Sequence, residues 1–285
     1  MTRAEPVVTF ESVSLRFVVL CVFGLLVAAC VFYVGFSYGL AFLRPADANT
    51  RRAHLVRAAL VEFLTTLVLL PLWPFWMLIG ASYEAAIEGE GKARGGRHPV
   101  VLLHGLAMNR TNWLWVGRRL AARGIGPLYG TSYFSPQSVL VSAQHLKNFV
   151  ERVCARADAT RVDIVAHSLG GVVARYYIER LGGAERGGRL ITIASPHQGT
   201  VMGRMGFVPS ARQVTNGSSF LGELGMPKPG VAYTSIWSRA DAIVVPPESA
   251  SLAPAGEDRV FDDLGHLSLL LSPRVVDAVV ERLTT

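Results

Sequence analysis

One ten-residue segment, 162–171, restricts the fold of this chain more than any other part of the sequence. It reads VDIVAHSLGG, an apolar run that stops at Ser168 and continues into a stretch of helical character. The residues two positions before and after the serine, Ala166 and Gly170, are both small. Because only small side chains fit where a strand turns sharply into a helix, the pattern predicts that the serine hydroxyl stands above a sheet edge. The alternative is an ordinary strand-to-glycine turn without chemistry.

Two polar residues downstream occupy positions that suit chemistry with this serine. Asp241 follows a predicted strand, 231–237, and His266 lies in a glycine-containing loop before the last predicted helix. A histidine can take the proton of a serine hydroxyl, and a carboxylate can orient that histidine and stabilise its charged form. Ser168, Asp241 and His266 are therefore candidates for a catalytic triad.

Other acids and histidines receive structural interpretations. His104 follows the apolar run 99–103 and precedes Gly105, so its ring is expected to brace the loop rather than to transfer protons. Asp262 and Asp263 are close enough in sequence to bond His266, but they suit a turn better. The same structural interpretation applies to two acids that flank the strand before the serine and to two further histidines: Asp158, Asp163, His145 and His197.

From about Pro99 to the C-terminus, the sequence resembles the small bacterial serine lipases of the α/β-hydrolase superfamily. The resemblance is carried by five short segments, namely 104–105, 166–171, 195–200, 238–241 and 265–267. An Ala-x-Ser-x-Gly turn is a recurring variant in those lipases. The resemblance implies a triacylglycerol lipase or esterase activity that needs no metal or organic cofactor, and it covers roughly the last two-thirds of the chain.

The resemblance also implies roles for individual residues. The chain order Ser168, Asp241, His266 is that of the hydrolase triad. The backbone N–H groups of Leu106 and Leu169 would form the oxyanion hole, one from the loop after the early strand and one from the residue after the nucleophile. The remaining motif positions are implied to be structural: His104, Gly105, Ala166, His167 and Gly170.

The first third of the chain has a different character. No charged residue lies between Arg16 and Arg44, and a second apolar stretch, 58–83, contains the single acid Glu62. Both stretches exceed the ~20 residues that cross a bilayer, so they predict two transmembrane helices at about 17–43 and 58–83. Glu62 would be costly in lipid unless it lies near the headgroups or pairs with Arg57 or a neighbouring helix.

Each predicted span has an alternative interpretation. The first could be a cleaved or lipidated signal sequence processed at Cys30, but the apolar run continues for about a dozen residues past that cysteine. The second could be a buried amphipathic helix, although its near-total lack of charge argues against this. Arginines in the connecting loop favour a cytoplasmic loop of a bacterial inner-membrane protein, which places the catalytic domain on the exoplasmic side: Arg44, Arg51, Arg52 and Arg57. Basic residues before the first span and after the second nearly balance the arginines of the connecting loop.

The domain division follows from these patterns. Residues 1–87 are expected to be the membrane anchor, 88–97 a glycine-rich linker, and 98–285 the catalytic domain. Within that domain, alternating strands and helices predict an α/β-hydrolase fold, a mostly parallel sheet with helices on both faces. Residues 202–230 show no clear period and are interpreted either as an acyl-binding wall or lid, or as a surface loop.

Composition adds few constraints on partners. The net charge of +7 beside a predicted anchor suits anionic headgroups, whereas no motif supports nucleic-acid binding. Three cysteines do not suggest a disulfide framework, and nothing indicates an oligomeric state.

The sequence thus predicts a membrane-anchored serine hydrolase of lipid or acyl esters. The alternatives are an acyltransferase or phospholipase with the same triad and, from another class, a catalytically silent membrane scaffold. The anchor is expected to be dispensable for the chemistry.

Overall fold

The computed structural model describes residues 15–42, 48–81, 86–88, 98–227 and 229–285. Within them, seven strands form one sheet: β1 (Ala86–Glu88), β2 (Val100–Leu103), β3 (Leu128–Thr131), β4 (Val162–His167), β5 (Gly187–Ile193), β6 (Ala232–Ser238) and β7 (Glu257–Phe261). The strand order is β1-β3-β2-β4-β5-β6-β7. Strands β2 to β7 pair in parallel, and β1 adds an antiparallel edge to β3.

Helices cover both faces of the sheet, as its apolar central strands require. The described helices are α1 (Leu15–Phe42), α2 (Ala48–Ala81), α3 (Leu114–Ala122), α4 (Val139–Ala157), α5 (Leu169–Arg180), α6 (Pro209–Gln213), α7 (Ser219–Leu224), α8 (Ser268–Leu271) and α9 (Pro273–Thr284). Every residue of β2 and β4 is buried. Alternate residues of these strands point to opposite faces, so that Val101 and Ile164 pack with α4 and α5 while Val100 and Val165 pack with α3 and α9.

The predicted fold class is confirmed: residues 100–285 form the mostly parallel sheet of an α/β-hydrolase, with helices on both faces. The segment 202–230 is more regular than its sequence suggested. It contains a 3-10 helix, Val201–Met205, followed by α6 and α7. These helices are too short to give the 3.6-residue periodicity that a sequence pattern needs.

The two N-terminal helices form a hairpin, and one face of that hairpin packs against the catalytic domain. Tyr38 of α1 and Ala58 of α2 belong to one buried apolar cluster with Ala240 and Ala242, which flank the predicted catalytic acid. The expectation of an anchor separate from the catalytic domain is therefore corrected. Local sequence patterns carry no information about this contact, because it joins segments about two hundred residues apart.

The boundary predicted between anchor and linker also changes. Ala86–Glu88 forms β1 and pairs with β3, so the sheet begins within residues assigned to the anchor and linker. Residues 89–97 of the predicted linker lie outside the described part of the chain, as do Arg44 and Tyr83. The side chains of Trp73 and Trp76 are also outside it.

The outward face of the hairpin is apolar and exposed. Its exposed members include Phe23, Phe32, Leu60, Leu64 and Val68. Among the described residues, one helical stretch, Arg52–Leu70, has the length and hydropathy of a membrane span, and a shorter apolar stretch covers Phe23–Gly39. Apolar surface of this extent is unusual on a protein that contacts only water.

Candidate active site

Ser168 lies at the sharp turn between β4 and α5. Its backbone dihedrals, φ +53° and ψ −126°, fall in a region that non-glycine residues rarely adopt. Small neighbours permit the turn, because a Cβ on Gly170 would lie 2.6 Å from the carbonyl oxygen of His104. A Cβ on Gly105 would likewise lie 3.0 Å from the Cβ of Ser168. The turn therefore depends on close backbone approach between the ends of β2 and β4.

The three predicted triad side chains form one chain of hydrogen bonds. The distance from Ser168 Oγ to His266 Nε2 is 3.0 Å, and the distance from His266 Nδ1 to Asp241 Oδ2 is 2.9 Å. The other carboxylate oxygen of Asp241 accepts hydrogen bonds from the backbone N–H groups of Ile243 and Val244, at 2.8 and 3.0 Å. Asp241 and His266 are both buried, so water competes little for these bonds.

Sheet topology explains why residues so distant in sequence meet. Ser168 follows β4, Asp241 follows β6, and His266 follows β7. The carboxyl ends of parallel strands share one edge of a sheet, which is where this fold presents reactive side chains. The strand-end positions predicted from the sequence thus converge at a single site.

The electrostatic surroundings of His266 favour its protonated form. Burial by itself lowers the pKa of His266, but the charge and hydrogen bond of Asp241, with a smaller contribution from the charge of Glu62, outweigh it and raise that pKa above its ordinary value. An imidazole in this setting can accept the serine proton and hold it as a stabilised imidazolium.

The two neighbouring acids face arginines instead of the imidazole. Asp262 is exposed and pairs with Arg239 at 2.7 Å. Asp263 pairs with Arg274 at 2.8 Å and with Arg57 of the hairpin at 3.4 Å. Each carboxylate therefore has a structural ion pair, in agreement with the interpretation that these acids belong to the turn.

His104 braces the loop after β2. Its Nδ1–H donates to the carbonyl oxygen of Gly105 at 2.8 Å, and its Nε2 accepts from the backbone N–H of Tyr133 at 3.1 Å. The Tyr133 hydroxyl in turn donates to the carbonyl oxygen of His104 at 2.8 Å. Burial lowers the pKa of His104 to about 4, so the ring is neutral near pH 7.

The two predicted oxyanion-hole residues belong to the two segments that approach each other at Ser168. Leu169 is the first residue of α5, where a backbone N–H has no acceptor within its own helix. Leu106 follows Gly105 in the loop that approaches Ser168. The next residue, Ala107, has a φ of +55° and donates its backbone N–H to Ser135 Oγ at 2.9 Å, which fixes the loop.

Two residues that hold the His266 loop were not identified from the sequence. His167, predicted only as part of the serine motif, is fully buried and its Nε2–H donates to the carbonyl oxygen of His266 at 3.3 Å. Glu62 accepts hydrogen bonds from the backbone N–H groups of Leu267 and Ser268 at 2.8 and 3.0 Å. Of the options predicted for Glu62, the pairing with Arg57 is wrong, because Arg57 contacts Asp263. The sequence signal that could have indicated this role is that Glu62 is the single acid in an apolar helix.

The remaining candidates have structural contacts. His197 Nε2 lies 2.9 Å from Thr192 Oγ1, and His145 Nε2 lies 2.9 Å from Thr131 Oγ1. Asp163 contacts His98 and Arg189, each at 3.1 Å, and Asp158 caps the end of α4 in a left-handed conformation.

Across the described ranges, no group of three or more histidine, cysteine and acidic side chains could hold a metal ion.

These contacts predict different costs for substituting the acids. Asp241→Asn should lower kcat on a short soluble ester by about 10³- to 10⁴-fold, because the amide cannot stabilise the imidazolium as a carboxylate does. Asp262→Asn and Asp263→Asn should stay within about three-fold of wild type, because both carboxylates pair with arginines and the imidazole is bonded by Asp241. Steady-state kinetics of the three purified variants test this. A larger loss for either neighbour than for Asp241 would show that the acid has been assigned to the wrong residue.

Comparison with known proteins places this geometry in a family. The model of the family "Lipase (class 2)" matches residues 97–266, which is more than half of the chain and includes all three triad residues. Among solved structures, a mature lipase of Bacillus licheniformis, BlEst2, is similar with a TM-score of 0.62 at 14% identity. The match covers 71% of this chain and 98% of that lipase.

Two further structures share the fold. Aspergillus fumigatus lipase B has a TM-score of 0.59 at 19% identity, over 71% of this chain and 56% of that protein. An esterase of Thermogutta terrifontis has a TM-score of 0.51 at 16% identity, over 69% of this chain and 92% of that protein. At these identities the structures show a common fold, while the family match covers the residues of the site. The chain belongs to the class 2 lipase family and is a hydrolase of the lipase and esterase type.

Proposed function

We propose that this protein is a membrane-attached serine hydrolase that cleaves lipid or acyl esters through an acyl-enzyme on Ser168. The observation that carries the proposal is the hydrogen-bonded chain from Ser168 through His266 to Asp241, with distances of 3.0 and 2.9 Å. A serine hydroxyl in this arrangement is activated by an adjacent base, and the base is oriented by the acid.

The mechanism follows from the positions of these groups. His266 takes the proton of Ser168 while Oγ attacks the ester carbonyl, and Asp241 stabilises the imidazolium. The backbone N–H groups of Leu106 and Leu169 bind the oxyanion, each contributing roughly 3 kcal/mol. His266 then donates its proton to the leaving alcohol, which gives the acyl-enzyme. In the second half-reaction, His266 takes a proton from water as that water attacks the acyl carbonyl, and it returns the proton to Ser168 Oγ as the bond to the acyl group breaks and the acid leaves.

Exposed aromatic side chains near the oxyanion loop are evidence that the substrate has an apolar acyl group. Phe134 and Phe207 are 71% and 93% exposed, respectively. The segments that carry them are tied together, since Ser210 Oγ donates to the carbonyl oxygen of Ser135 at 2.7 Å. Ser135 Oγ also accepts from Ala107 in the oxyanion loop. This arrangement favours the acyl-binding interpretation of 202–230 over a surface loop.

The hairpin supports attachment to a membrane. Its outward face is apolar, and lipid is a better solvent than water for that face. Its arrangement on the catalytic domain also restricts how it meets lipid. Glu62, in the middle of α2, contacts the His266 loop. Ala81, at the end of α2, is joined by five chain steps to Ala86 of the sheet, and these steps reach at most about 18 Å. The middle and the end of α2 therefore both lie near the catalytic domain.

We propose a contact with lipid that differs from the two predicted transmembrane crossings. Because α2 is a continuous helix, Glu62 and Ala81 lie roughly 28 Å apart along it, so a crossing of the ~30 Å hydrocarbon core between them would draw the domain that contacts Glu62 into lipid. We therefore place the outward face of the hairpin against lipid while its inner face holds the catalytic domain. The sidedness expected from the arginine counts, an exoplasmic catalytic domain, stays a prediction.

The two enzymatic alternatives use the same triad. An acyltransferase would accept a bound alcohol in place of water at the acyl-enzyme, and a phospholipase would take a phospholipid ester as its substrate. Assays with and without an acceptor alcohol, and with defined lipid classes, distinguish them. The silent scaffold is disfavoured because the aligned triad would serve no purpose there, and labelling of Ser168 by a fluorophosphonate would exclude it.

Ser168→Ala should lower hydrolysis of a short p-nitrophenyl ester by several orders of magnitude, because the members of a triad act as a unit. The variant should also lose fluorophosphonate labelling while keeping the thermal melting of the wild type. Ser195→Ala, a buried serine in another loop, is a matched control that should retain labelling. Turnover by folded Ser168→Ala at close to the wild-type rate would remove this serine from the mechanism.

The membrane proposal predicts that the full-length protein remains in the pellet after an alkaline carbonate wash of membranes. Leu64→Lys combined with Val68→Lys should move protein to the soluble fraction, because lysine is costly in a lipid-facing position. Leu140→Lys with Val141→Lys, two exposed apolar residues of α4, is the matched control and should leave the distribution unchanged. Release of the wild-type protein by carbonate would contradict membrane attachment through the hairpin.

A further inference from the structure

Glu62 is an acid buried among apolar residues, and its carboxylate is directed at the catalytic domain. Its exposed fraction is 1%. One carboxylate oxygen accepts from the backbone N–H of Leu267 at 2.8 Å, and the other accepts from the backbone N–H of Ser268 at 3.0 Å. Burying a carboxylate costs free energy unless hydrogen bonds compensate for lost water, and here both oxygens are bonded to one short segment.

That segment is the continuation of the His266 backbone. Leu267 and Ser268 immediately follow the catalytic imidazole, so the two bonds to Glu62 fix the peptide groups next to it. Gly265, just before His266, packs under the same carboxylate. A Cβ there would clash with Glu62 and with the Tyr38 hydroxyl, so the loop and the hairpin approach as closely as a glycine allows.

The His266 backbone is thus held from two sides. His167, on the sheet, donates to the carbonyl oxygen of His266. Glu62, on the hairpin, accepts from the two following N–H groups. The carboxylate of Glu62 thus satisfies both of those N–H groups at once.

We propose that Glu62 is a positioning residue that holds His266 in line with Ser168 and Asp241, so that the membrane-facing hairpin completes the active site. This inference rests on the proposed role of Ser168 as the nucleophile. It reverses the expectation that residues before the catalytic domain are dispensable for chemistry. It also explains why an acid, Glu62, is present in an otherwise apolar helix, where an ionisable side chain is costly.

The negative charge of Glu62 gives its positioning role a second measurable effect, on the pKa of His266. Burial lowers the pKa of His266, whereas the charge and the hydrogen bond of Asp241, followed by the smaller effect of the Glu62 charge, raise it. The ring of His167 lies 4.9 Å from that of His266 and is kept neutral by burial, and the hydroxyl of Tyr38 packs beside Gly265. Removal of the Glu62 charge should therefore lower the pKa of His266.

The experiment compares variants of full-length protein on a short, soluble ester over a range of pH. Glu62→Gln keeps the shape of the side chain but offers one acceptor oxygen instead of two. We expect kcat to fall about 10- to 100-fold with KM within two-fold, because a small displacement of a catalytic group is costly. The acidic limb of the kcat/KM profile should move to lower pH, because the imidazole then loses its proton more readily.

Conservative and control variants separate positioning from general packing. Glu62→Asp keeps the charge and should restore part of kcat, with the acidic limb near its wild-type position. Arg57→Gln removes an exposed ion pair between the same helix and Asp263. Thr66→Val removes a buried hydroxyl that donates within α2, to the carbonyl oxygen of Glu62. Both controls should stay within two-fold of wild type in kcat, with an unmoved limb.

The outcomes decide the proposal. Folded Glu62→Gln with wild-type kcat and an unmoved acidic limb would overturn it, and so would losses of equal size in the Arg57 or Thr66 controls. Should Glu62→Gln not fold, Glu62→Asp decides, since wild-type kcat in that variant would show that the exact reach of the carboxylate is immaterial. Fluorophosphonate labelling of Ser168 in the wild type tests the proposed function separately, so the two failures cannot be confused.

Discussion

The sharp turn at Ser168 is the constraint on which the rest of this structure depends. A positive φ at a non-glycine residue is unfavourable, and it persists only where the surroundings enforce it. Here Gly170 and Gly105 let the ends of β4 and β2 approach until no side chain fits between them. The backbone N–H of Ser168 is also fixed by the carbonyl oxygen of Ile193 on β5, at 2.8 Å. The core of the sheet thus holds the hydroxyl in place.

The other two residues of the site, Asp241 and His266, lie in loops, and hydrogen bonds from neighbouring segments hold these loops in place. Asp241 is held by two backbone N–H groups of its own turn. His266 lies in the loop after β7, which is an edge strand of the described sheet and only partly buried. Contacts from His167 and from the hairpin hold this loop. The proposed attachment to lipid and the proposed alignment of the imidazole therefore involve the same pair of helices.

Much of this arrangement was predictable from local patterns. The apolar runs before Ser168 and His104 predicted central strands because both faces of those strands are buried. The order of Ser168, Asp241 and His266 along the chain indicated which strand ends would meet. The geometry brings these three side chains together, while the roles of Leu106 and Leu169 rest on their position beside the serine.

What escaped prediction depends on tertiary contact. The apolar composition of α1 and α2 is the same whether a helix faces lipid or protein, so the packing of Tyr38 and Ala58 on the catalytic domain could not be read from it. Glu62 was recognisable as an anomaly, but its partners lie two hundred residues away and are backbone groups, which leave no sequence signature. The short helices α6 and α7 escaped because neither is long enough to establish a period.

The central claim is that ester cleavage proceeds through a covalent acyl group on Ser168. The most direct measurement is mass spectrometry of protein that is mixed with a short p-nitrophenyl ester and acid-quenched within the first turnovers. The account predicts that the mass of one acyl group is added, and that peptide mapping locates it at Ser168. Steady turnover without any adduct at Ser168, or with the acyl group on another residue, would contradict it.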